Sequence, residues 1–478
     1  MFIILLGFIN IKDCAGVNMY KINFEKPVPV HFIGIGGISM SGLARILLTK
    51  GFPVSGSDLK ESALTKQLAR DGAAISYSQR AENIDPKTKL VIYTAAVHDD
   101  NPELAAAISL GVETITRAQL LGQIMEGFES SIAIAGTHGK TTTTSMHTQI
   151  LLAAQTDPTV SVGGVLPSID GNIRIGQSEY FVTEACEYTN SFLHLYPKYS
   201  VILNIEAEHL DFFKGGIRQI RESFLQFASQ TKKDGAVILN GEIDNVFDFK
   251  KELGRRAVTY GFDDSNDFYA QNISYNETGC ASFDLYSHKK KLFSISLSVP
   301  GRHNVSNALA AAALSLEMGL SADAISSGLH TFTGAERRFQ KKGEKDGVTV
   351  IDDYAHHPTE IKAALSAAQK YPHSRIVCVF QPHTFSRTKN FLNDFADALM
   401  GADIVVLADI FAARETDLHE ISSKDLMKKL TERGKECHYF PSFEKIVKFL
   451  QEKTVHGDLL ITMGAGNVVS VGEMYLCG

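Results

Sequence analysis

Cysteine is scarce. The 478 residues hold six, at Cys14, Cys186, Cys280, Cys378, Cys437 and Cys477, with no CxxC pair and no zinc spacing. That excludes a disulfide-stapled scaffold and a structural zinc cluster, and it points to a reducing, cytosolic compartment. Long apolar runs are missing too, since no stretch approaches the ~18–20 residues a membrane span needs. The apolar start MFIILLGFINI lacks a basic flank and a small-residue cleavage site. Residues 1–18 therefore read as a dispensable extension ahead of Met19 rather than a signal peptide. There is no basic excess: 47 Lys and Arg face 54 Asp and Glu, a net charge of −7. Electrostatic binding of nucleic acid is thus not expected, and neither is a membrane partner. Internal repeats and low-complexity tracts are also absent.

What is present is an ordinary globular composition, 44% hydrophobic and 21% charged, in a chain long enough for three domains. Strand and helix patterns alternate from Pro29. Val28–Ile35 reads as a strand before the apolar helix Met40–Leu48, and Leu90–Thr94 as another strand. The alternation resumes at Ser131–Ala135 and again at Val348–Ile351, which predicts an α/β protein with mainly parallel sheets. Residues 263–300 alternate polar and apolar and predict a small antiparallel ribbon. The Ala-rich run Asn307–Met318 reads as a helix, and the polar stretch 333–347 as a linker. The expected divisions are 1–28 as extension and lead-in, then 29–128, 129–336 and 337–478.

Five groups of residues carry chemistry. Gly34, Gly36, Gly37 and Ser39 form a glycine turn between a strand and a helix, with Asp58 following 24 residues after Gly34. Such a turn lets the backbone approach a diphosphate at a helix N-terminus. The run Gly136-Thr137-His138-Gly139-Lys140-Thr141-Thr142 also follows a strand and opens a helix. Its glycines, lysine and hydroxyls are the parts of a phosphate loop, although Ile134 occupies the first glycine position of the strict pattern. Downstream come Glu184 and Glu187 after a strand at Tyr180, then Glu206, Glu208 and His209 after the strand Val201–Leu203. Acids at the carboxyl ends of strands can hold Mg²⁺; Glu206 and Glu208 read equally as a solvated helix start. Asn304 and Asn307 stand at a helix entrance, where asparagine either caps or reads a base edge. Finally Asp352-Asp353-Tyr354-Ala355-His356-His357 and Gln381-Pro382-His383-Thr384-Phe385-Ser386-Arg387 each follow a strand. Asp suits ribose hydroxyls, Arg a carboxylate and His a proton. Arg337 and Arg338 could steady phosphoryl charge.

The order GxGGxxMSG, AGTHGKTTT, TEACEY, NIEAEHLDFF, PGRHNVSNALAA, GAERRF, DDYAHHPTEI and FQPHTFSRT runs from about Val30 to Gly466 and resembles the Mur ligase superfamily, in particular its alanine-adding members. The resemblance implies three domains: an N-terminal Rossmann-like domain for a UDP-sugar, a central P-loop-type ATPase, and a C-terminal Rossmann-like domain for ATP and the amino acid. It implies a cytoplasmic, ATP-dependent ligase of peptidoglycan precursor synthesis that joins L-alanine to the lactoyl carboxylate of UDP-N-acetylmuramate through an acyl phosphate. Mg²⁺ is the expected ion, with Mn²⁺ as an alternative because His209 is a softer ligand. The resemblance carries roles onto matching positions. Gly34, Gly36, Gly37, Ser39 and Asp58 fall in the UDP-sugar region. Gly136, Thr137, His138, Gly139, Lys140, Thr141 and Thr142 form the ATP loop; Asn304, Asn307, Arg338 and Asp353 complete the ATP site. Thr141, Glu184 and His209 hold the metal. Tyr354, His383 and Arg387 gather the carboxylate and amino acid, and Lys140, His209, His356 and Arg387 are the implied catalytic set. The expected assembly is a monomer or weak homodimer. Cys186 departs from the aspartate common at its position. The rival readings are a ligase that adds a preformed tripeptide to the same sugar, an NAD-dependent oxidoreductase and a non-catalytic nucleotide-binding protein.

Overall fold

A computed structural model of the chain describes residues 20–478 apart from 95, 99, 414 and 418. The extension read at residues 1–18 lies outside them. The described chain falls into two units, one ending at Ile124 and the other beginning at Met125.

The first unit carries five strands: β1 (Val30–Ile33), β2 (Val54–Ser57), β3 (Ala74–Ser76), β4 (Leu90–Tyr93) and β5 (Glu113–Thr116). They pair in parallel in the order β3-β2-β1-β4-β5. The order reverses at β1, the position where open α/β sheets leave a crevice at their strand ends. The glycine turn follows β1 and leads into the helix Ile38–Thr49.

The second unit carries two sheets. In the larger one β6 (Ser130–Ala135), β7 (Thr159–Leu166), β8 (Gly171–Arg174), β9 (Tyr180–Ala185), β10 (Tyr199–Ile202), β11 (Ala236–Asn240), β12 (Ala257–Gly261), β13 (Phe268–Tyr275), β14 (Cys280–Ser287) and β15 (Lys290–Pro300) run in the order β15-β14-β13-β12-β11-β10-β6-β9-β7-β8. Its centre is parallel, and β6 and β11 are buried along their whole length. Strands covered on both faces read as continuous apolar runs, which is why they are visible in the sequence. The 263–300 ribbon is the antiparallel set β13–β15, whose last strand alternates exposed and buried residues as expected of a half-covered sheet.

The other sheet holds β16 (Gln340–Lys345), β17 (Val348–Asp353), β18 (Ile376–Phe380), β19 (Ile404–Leu407), β20 (Glu436–Tyr439) and β21 (Leu459–Met463), in the order β16-β17-β21-β18-β19-β20. Four sequence expectations need correcting. Part of the expected linker is β16, a polar edge strand, QKKGEK, antiparallel to β17. The charges that hid it from an apolar-pattern reading are those that protect a sheet edge. The helix expected from Asn307 begins at Arg302, capped by Gly301 at φ 98°, so Asn304 and Asn307 lie inside its first turns and cap nothing. No helix begins at Glu206 or Glu208; the next one starts at Gly216. Glu184, Asp352 and Asp353 lie within strands rather than after them.

Candidate functional site

In the first unit, Gly34 takes φ 79°, a conformation that suits glycine. Gly36 donates its N–H to Asp58 Oδ2 at 2.8 Å, and a Cβ on Gly36 would stand 2.7 Å from that oxygen. Asp58 thus braces the turn from β2's end. Gly37 caps the helix by backbone alone, and Ser39 sits in its first turn. The five expected residues are therefore gathered at one strand–helix turn.

In the second unit, β6 delivers the loop Gly136–Gly139 and the helix Lys140–Ala153 begins directly behind it. Gly139 has φ 83°, and a Cβ there would approach Asn307 Oδ1 to 2.7 Å. The loop is clamped by Asn204, a residue that sequence reasoning passed over. Its Oδ1 accepts the His138 N–H at 2.8 Å while its Nδ2 donates to the His138 carbonyl at 3.1 Å. Lys140 Nζ donates to the carbonyls of Gly136 and Thr137 and pairs with Glu187 at 2.9 Å. Burial opposes the ammonium charge, but Glu187 outweighs it and the lysine pKa is raised.

Thr141 and Glu184 meet at a pair of glycines on β7. A Cβ on Gly163 would lie 2.9 Å from Glu184 Oε2, and one on Gly164 3.2 Å from Thr141 Cγ2. Glu184 Oε1 accepts the Gly163 N–H at 2.6 Å. His209, at φ 52°, lies with Nε2 3.7 Å from Glu187. Burial lowers its pKa despite Glu208 and Glu187, so it is neutral at pH 7. A hydroxyl, a carboxylate and a neutral imidazole are donors that a divalent cation takes, and the bare backbone at Gly163 and Gly164 lets Glu184 and Thr141 pack close against β7.

A cavity of about 610 Å³ opens beside the loop. His138, Gly139 and Thr142 line it together with Asn304, Asn307, Arg338 and Asp353, so seven expected ATP residues share one space. Asn304 donates to the Pro300 carbonyl at 2.7 Å, and Asn307 donates to Asn304 Oδ1 at 3.1 Å. Asp353 accepts N–H bonds from Phe339 and Ala355; burial nevertheless pushes its pKa up to about 6. Arg338 faces this cavity, whereas Arg337 turns away and pairs with buried Asp352 at 3.0 Å. Phosphoryl contact by Arg337 is therefore not supported. The guanidinium of Arg302 lies 4.0 Å from the Phe262 ring centroid, and both line the same cavity.

A second cavity, about 150 Å³, gathers His209, Tyr354, His356, His383 and Arg387. Arg387 is 9% exposed. Its Nε and Nη2 donate to Glu208 Oε1 at 3.1 and 2.8 Å, and its Nη1 donates to His383 Nδ1 and the His383 carbonyl. With these bonds made, Arg387 presents a fixed charge more than a free fork. Burial works against the Glu208 carboxylate, yet Arg387 holds its pKa at about 2. His356 donates from Nδ1 to the Tyr354 carbonyl at 3.0 Å, which leaves Nε2 as the acceptor. Burial pulls its pKa down to about 4, so the ring is neutral at pH 7.

Between the two cavities lies Glu360, also missed in the sequence. It accepts from His138 Nδ1 at 3.1 Å and from the His356 N–H at 3.0 Å. Burial opposes charge on His138, but Glu360 and Glu206 lift its pKa to about 9. His138, Glu206 and His357 bring potential metal-ligand atoms within 4.8 Å of one another. However, His357 Nδ1 accepts the Thr359 N–H as a helix cap, so its proton sits on Nε2 and no lone pair is left for a metal. Protonated His138 between two carboxylates explains the cluster instead. The signal that could have found Glu360 is its place three residues after His357 in a capping box.

Three family models match in chain order. Residues 29–129 match the Mur ligase family catalytic domain, 134–315 the Mur ligase middle domain and 337–466 the Mur ligase glutamate ligase domain. A UDP-N-acetylmuramate–L-alanine ligase of Agathobacter rectalis is 63% identical over 455 residues, covering 95% of this chain and 99% of that protein. One of Clostridium novyi is 52% identical, covering 96% and 99%. Among solved structures, a UDP-N-acetylmuramate-alanine ligase of Thermotoga maritima superposes with TM-score 0.80 at 29% identity, covering 94% of this chain and 98% of that one. A murein peptide ligase of Psychrobacter arcticus shares the fold, with TM-score 0.71 at 24% identity over 94% and 98% of the chains. The agreement in order, extent and architecture makes this chain a member of the Mur ligase family.

Proposed function

We propose that the chain joins L-alanine to the lactoyl carboxylate of UDP-N-acetylmuramate, with ATP cleaved to ADP and phosphate. The observation that carries this reading is the pairing of a 610 Å³ cavity on the phosphate loop with a 150 Å³ cavity at the strand ends of the C-terminal sheet. The loop 204–211 contributes Asn204 and Glu206 to the first and Glu208 and His209 to the second. Nucleotide-sized and amino-acid-sized spaces are thus held side by side. The names of the relatives that match almost the whole chain support the same reaction.

A carboxylate is a poor electrophile until one oxygen becomes a good leaving group. The γ-phosphoryl group of ATP passes to the lactoyl carboxylate, which gives an acyl phosphate and ADP. The alanine nitrogen then attacks the acyl carbon; the C–N bond forms, the C–O bond to phosphate breaks, and phosphate leaves. The Gly136–Gly139 loop and Lys140 cradle the phosphates, Asp353 takes the ribose, and Asn304 and Asn307 lie on the base side. Arg338 and Arg387 balance negative charge near the transferred group. Neutral His356 takes the proton that the amine loses. Thr141, Glu184 and His209 would hold Mg²⁺, which supplies charge neutralisation for phosphoryl transfer when bound. The turn Gly34–Ser39 with Asp58 serves the diphosphate of the UDP-sugar. Residues 29–128, 129–336 and 337–478 form the three domains of this reading.

The test is phosphate release from ATP and Mg²⁺ with UDP-N-acetylmuramate, varying the amine among L-alanine, L-serine, glycine and a preformed tripeptide. Release that needs L-alanine, with a product heavier by one alanyl residue, is the expected result. Release with the tripeptide alone would move the chain to the tripeptide-adding activity.

A further inference from the structure

The small cavity has a wall that carries no part of the reaction. On its far side lies a third cavity of about 490 Å³, lined by Phe385, Lys389, Thr416, Asp417, Glu420 and Ile421. Ser386, Asn390 and Glu415 line both spaces. Two of the three are tied together. The Ser386 N–H donates to Glu415 Oε2 at 3.0 Å, and the Ser386 hydroxyl donates to Glu415 Oε1. Both carboxylate oxygens are thus used on one serine at the start of the helix Phe385–Asn390. That helix is fixed from within, because Thr384 caps it by accepting the Arg387 N–H and Arg387 is anchored on Glu208. One edge of the partition is therefore rigid. The other edge, Glu415, belongs to the segment after β19 and is held to this helix through the pair of bonds to Ser386.

We propose that the Ser386–Glu415 pair sets the size limit for the amino acid. With the pair closed, a side chain in the 150 Å³ pocket is stopped by the partition. With it open, the pocket joins a space more than three times larger, bordered by the exposed Lys389–Glu420 ion pair. The larger space has Phe385 and Ile421 among its otherwise polar lining, and these two would receive a branched aliphatic side chain. The inference rests on the reading of the 150 Å³ pocket as the amino-acid site, and it adds what bounds that site.

The experiment compares kcat/KM for L-leucine and L-alanine in the full-length protein with UDP-N-acetylmuramate and ATP saturating. Glu415→Ala should raise the leucine-to-alanine ratio by about ten-fold or more, the scale on which a hydrophobic pocket separates side chains of different size. Ser386→Ala removes one of the two bonds and should raise the ratio less. Glu415→Gln keeps an acceptor for the serine and should stay near wild type. A ratio in Glu415→Ala within about two-fold of wild type, with alanine still turned over, overturns the proposal. So does loss of turnover with every amine in both folded variants, since the pair would then belong to the reacting groups. If Glu415→Ala fails to fold, Ser386→Ala carries the same comparison. Arg387→Lys separates the two levels of inference. If it leaves both kcat and KM for alanine unchanged, the pocket assignment itself fails. If it impairs alanine while Glu415→Ala leaves the ratio fixed, only the partition fails.

Discussion

Lys140 is the residue on which the nucleotide reading turns. Its ammonium already has Glu187 and two loop carbonyls as partners. It is therefore held at the loop before any phosphate arrives, and little rotamer freedom is left to lose. Lys140→Ala should cut phosphate release by about 10³-fold or more, on the scale of charge-stabilising groups in phosphoryl transfer. Circular dichroism should show the fold retained but melting earlier, because Glu187 is 2% exposed and loses its charge partner. At this scale the sequence was informative where a residue type is rare in a pattern, as with Gly139-Lys140-Thr141, and silent where the partner comes from far along the chain. Asn204 and Glu360 hold His138 from 66 and 222 residues away. No spacing rule links either of them to His138. Arg337 and Arg338 are neighbours of one type, and only the pairing with Asp352 separates a buttress from a cavity residue.

Elements were legible in proportion to their burial. β6, β10 and β11 are apolar runs with fully buried interiors, and they appear in the sequence to within a residue or two. β16 was hidden because its residues are lysine, glutamate, glutamine and glycine. The start of the helix Arg302–Glu317 was misplaced because no side chain caps it. The phosphate-loop helix offers a direct test at the level of the element. Its cap, Gly139, combines a left-handed φ of 83° with a side that closes on Asn307. Gly139→Ala adds backbone strain of about 1–3 kcal/mol to that collision. Thermal melting should fall accordingly, and the KM for ATP should rise more than the KM for L-alanine. Equal effects on both would mean that the loop serves the two cavities alike.

Across the second unit, the two sheets are fastened by charge. His138 on the phosphate loop lies between Glu206 and Glu360, Thr359 donates to Glu206 at 2.7 Å, and Arg387 is locked on Glu208. The pKa of His138 rises from 6.5 to about 9 in the folded chain. The folded state thus holds a proton that the unfolded state releases. Its stabilisation is complete below about pH 6.5 and is lost as the pH rises through 9; at the low end it amounts to about 3 kcal/mol. Melting followed from pH 6.5 to 10 should fall more steeply in the wild type than in His138→Gln. Parallel curves would show that the histidine titrates normally.

The loop 204–211 is a party wall. One side of it grips the phosphate loop through Asn204 and Glu206, and the other steadies Arg387 through Glu208. A ligand that stiffens the wall from one room lowers the ordering cost for the ligand next door. Binding free energies are reciprocal, so whatever factor the nucleotide adds to alanine's affinity, alanine must return to the nucleotide's. On the proposed assignment of the two cavities, ATP should bind more tightly when the amine is already in place. Calorimetric titrations of each ligand with and without the other should yield one and the same factor.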